Sequence, residues 1–442
     1  MGAAPATPRR PPEGNTTVRL GLLGCGNVGS ALVALLDEQR TAITARTGLH
    51  LEVARVGVAD VTKPRPVTLA DGVLTADLDR VVEDAAVDVV VEVMGGLEPA
   101  GRLVLAALGA GKPVVTGNKE LLAARSPELL DAAAKAGVDL LFEAAVAGAI
   151  PLVRPLRESL AGDRLERIVG IVNGTTNFIL TRMSESGQSF EEALAEAQSL
   201  GYAERDPTAD VEGFDAAAKA AIIASVAFGV DVRADDVHRE GITGLSVDDI
   251  AMAERLGYTV KLLAVAEAVG DEIAVRVHPA MVPHDHPLAA VREAFNAVFV
   301  EGAAAGELMF YGRGAGGRPT ASAVLGDVID AATNLRQGSS WGLAGLVPAR
   351  IRPIDELESQ YYLTVDVLDR PGVLEKVAAA TARHRVSIRQ MEQLGMGDEA
   401  RLVLVTHMAR ERDVQATLDD LRQLDVVDRV GTFLRVIGPE RT

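Results

Sequence analysis

The chain has 442 residues, and its 62 acidic against 44 basic side chains leave a formal charge of −18, which gives no electrostatic footprint for nucleic acid or an anionic membrane surface. A hydrophobic share of 48% with 24% charged residues is ordinary globular composition, excludes a chain disordered throughout, and at this length fits two or three domains. The one cysteine, Cys25, excludes an intramolecular disulfide and a Cys-based zinc cage, and fits a reducing compartment.

Residues 1–17 are rich in Pro, Ala and Gly with no apolar h-region, so they read as a disordered tail and not a signal peptide. No later stretch has the roughly 18 uncharged apolar residues that a spanning helix needs. A soluble, cytoplasmic protein with no membrane partner is expected. From Val18 onward, short apolar runs alternate with amphipathic stretches. VRLGLLG reads as a strand, residues 27–46 as a helix, and LEVARVGVA, VDVVVEVM, KPVVTG and VDLLFEAAV as four further strands. Such alternation predicts an α/β unit, a doubly wound parallel sheet of Rossmann type, over residues 18–152.

A different texture follows over residues 153–319. A polar helix around EEALAEAQSLG, a small-residue helix in EGFDAAAKAAIIASVAFGV, and strand-like EIAVRVHPAMV and NAVFVEG suggest an α+β domain. The Gly-rich YGRGAGGRPTASAV then leads into a helix through Val328 to Leu335. Residues 320–350 are therefore a candidate for completing the first domain. Residues 355–438 show the order βαββαβ, from YYLTVDVL through ERDVQATLDDLRQL to VVDRVGTFLRVI, which is the ferredoxin-like arrangement.

Gly24, Gly26 and Gly29 in GLLGCGNVGS form G-x-G-x-x-G between a strand and a helix. There the glycines permit a tight turn, and the backbone N–H groups around Asn27 and Val28 and the helix dipole favour a pyrophosphate. A ribose-reading acid normally follows about 20 residues on; here the longer first helix delays that position to Asp60. Asp60 favours NAD, whereas Lys63 and Arg65 just beyond it can pair with a 2′-phosphate. The balance of charges leans to NADP, with NAD tolerated.

Five segments resemble homoserine dehydrogenase in wording, order and spacing: VTGNKELLA, EAAVAGAIP, GIVNGTTNFIL, AQSLGYAERDPTADVEGFDAAAKAA and GRGAGGRPTASAV. The terminal unit, with LDRPGVL at 368–374, resembles an ACT domain. The resemblance implies reversible reduction of L-aspartate 4-semialdehyde to L-homoserine by NAD(P)H, on the route to threonine and methionine, in a homodimer or homotetramer. By the same resemblance Lys219, Lys119 and Asp215 are catalytic, and Glu204, Asp210, Gly174, Thr175 and Tyr202 bind substrate. Gly95, Lys119 and Gly316 join Gly24, Gly26, Asn27, Val28, Gly29, Lys63 and Arg65 as coenzyme contacts. Glu143, Val146, Gly148 and Ile150 would hold a sodium ion through main-chain carbonyls, and the ACT domain would bind an amino-acid effector, threonine being the expected one.

The residues support this chemistry on their own terms. Asp215 and Lys219 stand at i and i+4 of a predicted helix, so both project from one face. An ammonium held beside a carboxylate can supply the proton that a carbonyl reduction requires. Without the resemblance the pair would read as a surface ion pair, and the acids at 204 and 210 as a solvated loop. A related oxidoreductase for another aldehyde would share the glycines but not the 197–219 segment, and a catalytically dead amino-acid sensor would lack Lys119, Asp215 or Lys219.

Overall fold

The structure, a computed structural model, describes residues 17–340, 345–395 and 397–438. The expected tail therefore lies outside the described residues except for Thr17, which begins the first strand. Two compact units divide the chain. The first takes the residues up to Glu166, Ala218–Val237 and Asn296–Ala349; the second takes Arg167–Ala217, His238–Phe295 and Arg350 onward.

The first unit opens with β1 (Thr17–Leu23), α1 (Asn27–Thr47), β2 (His50–Gly57), β3 (Leu74–Thr75), α2 (Asp79–Glu83), β4 (Val89–Glu92), α3 (Ala100–Gly109), β5 (Val114–Thr116), α4 (Lys119–Ala136) and β6 (Leu140–Leu141). The strands pair in parallel in the order β3-β2-β1-β4-β5-β6. This is the doubly wound order expected of the alternation, with the ligand crevice at the strand C-termini where the order reverses. Helices cover the sheet, so Val18, Leu20 and Leu22 are fully buried and the strands read as apolar runs without strict alternation. VDLLFEAAV keeps only two residues in the sheet. At Glu143 the backbone N–H donates to Asp327 (2.8 Å) and the carboxylate accepts N–H groups of Val153 (2.7 Å), Arg154 (2.8 Å) and Leu152. The chain therefore leaves the ladder there in a single 3₁₀ turn.

In chain order there follow β7 (Leu165–Ile171), α5 (Gly174–Ser186), α6 (Phe190–Ser199), α7 (Thr208–Val211), α8 (Phe214–Phe228), β8 (Val230–Asp231), β9 (His238–Arg239), α9 (Val247–Arg255), β10 (Tyr258–Val269), β11 (Glu272–Pro283), β12 (Phe295–Gly302), β13 (Gly306–Arg313), α10 (Gly317–Gln337) and β14 (Val347–Pro348). The long strand β10 escaped the sequence reading. Its middle is buried on both faces, and an apolar run without alternation has no helix or strand signature of its own. Helix α10 belongs to the first unit: Ala321, Val324, Val328 and Ala331 share one core with Leu20 and Leu22 of β1 and Leu32 and Leu36 of α1.

The C-terminal part consists of β15 (Glu358–Leu368), α11 (Val373–Arg383), β16 (Ile388–Gly395), β17 (Glu399–Thr406), β18 (Ala409–Arg410), α12 (Glu411–Arg422) and β19 (Val427–Val436). Leaving aside the two-residue β18, this is βαββαβ. Within the second unit the strand order is β7-β10-β11-β19-β15-β17-β16. The C-terminal strands thus extend the sheet through β11 and β19, paired in parallel at Ala280–Arg435 and Met281–Val436. No helix among the described residues is long and apolar enough to cross a membrane.

Candidate active site

The glycine turn after β1 is shaped by what a side chain would strike. Gly24 adopts φ +102°, and a Cβ there would lie 2.9 Å from the Val93 carbonyl oxygen; a Cβ on Gly29 would lie 2.4 Å from the Gly24 oxygen. Both glycines are demanded by backbone against backbone. At Gly26, the N-cap of α1, a Cβ would meet nothing within 4 Å. Open space over a helix N-terminus, flanked by Asn27 and Val28, is the cradle that a pyrophosphate needs. Helix α10 begins beside it: a Cβ on Gly317 would stand 3.0 Å from the Asn27 oxygen, and its N-cap Gly316 has φ +125°. Arg318 of α10 also pairs with Glu38 of α1 at 2.7 Å.

Beyond this turn lies a pocket of about 230 Å³ whose lining includes Gly95, Lys119, Gly148, Lys219, Gly314 and Thr320. Lys119 and Lys219, a hundred residues apart in sequence, therefore line one pocket, each half-buried. Lys119 is placed by Asn118, whose Oδ1 caps α4 by accepting the Leu121 N–H (3.1 Å) while its Nδ2 donates to the Gly96 oxygen (2.7 Å). Behind Asn118 runs a buried chain. Thr116 Oγ1 accepts the Asn118 N–H (3.0 Å) and donates to Glu92 Oε2 (2.6 Å), while Glu92 Oε1 accepts the N–H groups of Met94 (2.8 Å) and Gly95 (3.1 Å). Glu92 is fully buried, so its carboxylate fixes the loop carrying Gly95 at φ +80° and Gly96 at φ +74°. Also in the lining, Gly148, at φ +60°, packs so closely that a Cβ would lie 2.3 Å from the Gly314 oxygen.

In the second unit the expected substrate residues gather around one amide. Asn173 precedes α5, and its Oδ1 caps the helix by accepting the Thr176 N–H (2.9 Å). Its Nδ2 must then face the other way, and it donates to Asp210 (2.7 Å) and Asp215 (2.9 Å). Thr175 Oγ1 donates to the Tyr202 carbonyl (2.7 Å), and the Tyr202 ring lies 5.1 Å from that of Phe178. Gly174 leaves no room for a Cβ, which would stand 2.8 Å from the Ala294 oxygen. Gly174, Thr175, Tyr202, Asp210 and Asp215 are thus brought to the N-terminus of α5. Glu204 is exposed, and its backbone oxygen accepts the Gln198 side-chain amide N–H at 3.0 Å. Asp215 and Lys219 stand one turn apart on α8.

The loop expected to read the ribose is held by itself. Asp60 accepts both the N–H and the hydroxyl of Thr62 (2.8 and 2.7 Å), and these bonds lower its carboxyl below the ordinary range. The Arg65 guanidinium turns inward onto the carbonyls of Lys63 (2.7 Å) and Asp60 (2.6 Å), while Lys63 is exposed. At the expected cation loop, Ala147 (φ 57°) and Gly148 (φ 60°) are successive left-handed residues. The Glu143 carboxylate is committed to the N–H groups of 152–154, so a cation there would draw on main-chain oxygens. No cluster of three His, Cys, Asp or Glu able to hold a metal occurs among the described residues.

Glu92, Asn118 and Asn173 escaped the sequence reading. Glu92 had a signal, an acid interrupting the apolar run VDVVVEVM before a Gly pair. The asparagines had a weaker one, an N-cap residue immediately before a helical stretch.

Comparison with known proteins gives a single family. The profile described as homoserine dehydrogenase matches residues 151–329, that of the homoserine dehydrogenase NAD binding domain residues 24–143, and that of the ACT domain residues 361–426. The homoserine dehydrogenase of Corynebacterium glutamicum is 49% identical over 99% of each chain, and that of Bacillus subtilis 42% identical over 95% of this chain and 98% of its own. Among solved structures, a homoserine dehydrogenase from Thiobacillus denitrificans superposes with a TM-score of 0.90 at 40% identity, covering 95% of this chain and 98% of that one. A hyperthermophilic archaeal homoserine dehydrogenase in complex with NADPH superposes with a TM-score of 0.62 at 30% identity, over 71% of this chain and 97% of its own.

Proposed function

Because the chain belongs to the homoserine dehydrogenase family, an NAD(P)-dependent oxidoreductase family, we propose that it interconverts L-aspartate 4-semialdehyde and L-homoserine, with NADP preferred and NAD tolerated. The observation that carries this reading is the single pocket lined by both Lys119 and Lys219, together with the open glycine turn. The turn at Gly24, Gly26 and Gly29, with Asn27 and Val28, holds the pyrophosphate, and Gly95, Lys119 and Gly316 complete the coenzyme contacts. Bound nicotinamide coenzyme supplies the hydride in the reducing direction and takes it up in the other. Lys219 donates the proton to the aldehyde oxygen during reduction and recovers it from the hydroxyl during oxidation, with Lys119 assisting. Asp215, tethered by Asn173, orients this end of α8. Glu204 pairs with the substrate ammonium, and Gly174, Thr175, Tyr202 and Asp210 line the pocket for the rest of the molecule.

The exposed Lys63 supports the NADP preference, since a 2′-phosphate needs cationic partners and the Asp60 carboxylate is already engaged by Thr62, and Arg65 joins it on leaving the Lys63 and Asp60 carbonyls. A sodium ion held by the carbonyls of Glu143, Val146, Gly148 and Ile150 would stiffen the turn behind Gly314. The C-terminal unit binds an amino-acid effector, threonine, at the turn from Asp369 to Gly372, where the first N–H groups of α11 are available to a carboxylate. The assembly is a homodimer or homotetramer, and the reaction sits on the route to threonine and methionine in the cytoplasm. Steady-state assays of homoserine oxidation with NADP and with NAD, each with and without millimolar threonine, test this reading. Oxidation with the larger kcat/KM for NADP and a rate lowered by threonine is expected. No turnover with either coenzyme would overturn the assigned reaction.

A further inference from the structure

Lys261, on β10, is 2% exposed, and the proton transfer assigned to Lys219 and Lys119 makes no use of it. Its Nζ donates to Asn177 Oδ1 (3.0 Å) and to the Val291 oxygen (2.5 Å). Both acceptors are neutral. Burial pushes the ammonium down to about 8, with Arg292 adding to the effect and Glu185 and Glu254 opposing it. The fold thus holds a desolvated cation on dipoles, and a methionine would fill the same space without that penalty.

The lysine orients an amide. An Asn side chain accepts at one end and donates at the other. With Oδ1 on Lys261, Asn177 Nδ2 must face residues 291–295, where it donates to the oxygens of Glu293 (2.8 Å), Phe295 (3.2 Å) and Val291 (3.3 Å). Within this segment Glu293 takes φ 55°, a left-handed conformation uncommon outside glycine. Further along α5, Thr181 Oγ1 accepts its N–H (3.2 Å) and Arg182 pairs with its carboxylate (2.8 Å). Strain of this kind persists only where the surroundings enforce it.

The segment so held carries Ala294, whose oxygen lies 2.8 Å from the place of a Cβ on Gly174. Gly174 opens α5 directly after Asn173, whose amide holds Asp210 and Asp215. One turn on, the Asn177 N–H donates to the Asn173 oxygen (3.3 Å). The two asparagines of this turn therefore divide the work: Asn177 anchors the turn to residues 291–295, and Asn173 anchors the acids to the turn.

We propose that Lys261 and Asn177 are positioning residues for the substrate, pressing residues 291–295 against Gly174 and so setting the place of the α5 N-terminus and of the Asp210 carboxylate. The inference rests on the assignment of Gly174, Thr175, Tyr202 and Asp210 to substrate binding. Asp210 stands on α7, a helix of four residues, whereas Asp215 belongs to the 15-residue α8, so a displaced amide disturbs Asp210 more. All these residues lie in the second unit, while the glycine turn, Gly95, Lys119 and Lys219 lie in the first. Loss of the lysine should weaken homoserine and spare the coenzyme.

The test compares steady-state homoserine oxidation by the full-length chain and by K261M, K261Q, N177S and the K261M/N177S double variant, with thermal unfolding of each. K261M keeps the stem and removes the donor, and K261Q restores a donor. The KM for homoserine should rise about tenfold in K261M and in N177S, with kcat and the KM for NADP within about twofold of normal. K261Q should recover to within about threefold. Because both residues act through one amide, the double variant should be little worse than the poorer single one. N177S reads the same contact from the helix side if K261M folds poorly. A homoserine KM within about twofold of normal in every variant that folds overturns the role, and so does an equal rise in the KM values of homoserine and NADP. No homoserine turnover by the unaltered chain overturns the assigned reaction and this role with it, whereas a normal KM in active variants removes the role alone.

Discussion

The pocket lined by Lys119 and Lys219 and a cleft of about 520 Å³ beside the C-terminal sheet are built from opposite materials. Around the pocket the decisive positions are glycines whose missing Cβ lets backbone approach backbone, as at Gly29 against Gly24 and Gly148 against Gly314. Around the cleft they are charged side chains on neighbouring strands, with Asp366 between Arg401 and Arg429. The difference teaches where tolerance lies. A backbone-built cradle has no rotamer with which to absorb a substitution, whereas a charged face can lose a group and remain folded.

The largest effect is expected at the chemistry itself. Lys219→Ala should lower turnover by roughly 10²-fold or more with coenzyme affinity intact, and Lys119→Ala should act in the same direction. Near-normal kcat in both variants, measured with coenzyme saturating, would remove proton transfer from this pocket. Next come the glycines. Gly29→Ala and Gly148→Ala each force a Cβ into a carbonyl oxygen and should cost about 2–4 kcal/mol of stability, read by denaturant unfolding, while Asp248→Asn in the cleft should stay within about 0.5 kcal/mol. If the glycine variants unfold no more easily than Asp248→Asn, the contrast between the two regions is wrong.

A smaller change is expected from Lys63→Glu combined with Arg65→Glu. NADP affinity should fall about tenfold more than NAD affinity, as loss of paired cations at a 2′-phosphate requires. Equal loss of both coenzymes would show that the 60–65 loop does not read the ribose. The last prediction concerns the pH dependence set by a buried acid near the pocket. Burial pushes Asp327 from 3.8 up to about 8, against the opposing Glu143 N–H bond. A carboxyl raised on folding contributes its stability at low pH and loses it as pH climbs through the folded value. Stability should therefore decline between about pH 4 and pH 8 through this group. Asp327→Asn keeps an oxygen for the Glu143 N–H and should flatten that decline in unfolding curves taken across the window. An unchanged slope would place the titration elsewhere.

Local pattern carried much of this molecule. Strand and helix alternation announced the parallel sheet, the G-x-G-x-x-G spacing its turn, and the βαββαβ order the C-terminal unit, because periods of 2 and 3.6 and tight-turn glycines are properties of short segments. The matched segments also named Lys119, Asp215 and Lys219. Local pattern could not place the buried strand β10, or end the strand at Glu143, whose N–H partner lies 184 residues away.

The same limit governs the site. Sequence alone determined the family, and it named the candidate reactive side chains, since those reside in contiguous words such as GNKE and GFDAAAKAA. Only the tertiary structure decided that Glu92 fixes the Gly95–Gly96 loop, that the Asn173 amide holds Asp210 and Asp215 together across 37 and 42 residues, and that Asp366 meets Arg401 and Arg429 across three strands. Such partners are chosen by sheet register and helix docking. A buried polar group must find its partner wherever packing puts one, and no spacing along the chain encodes that choice.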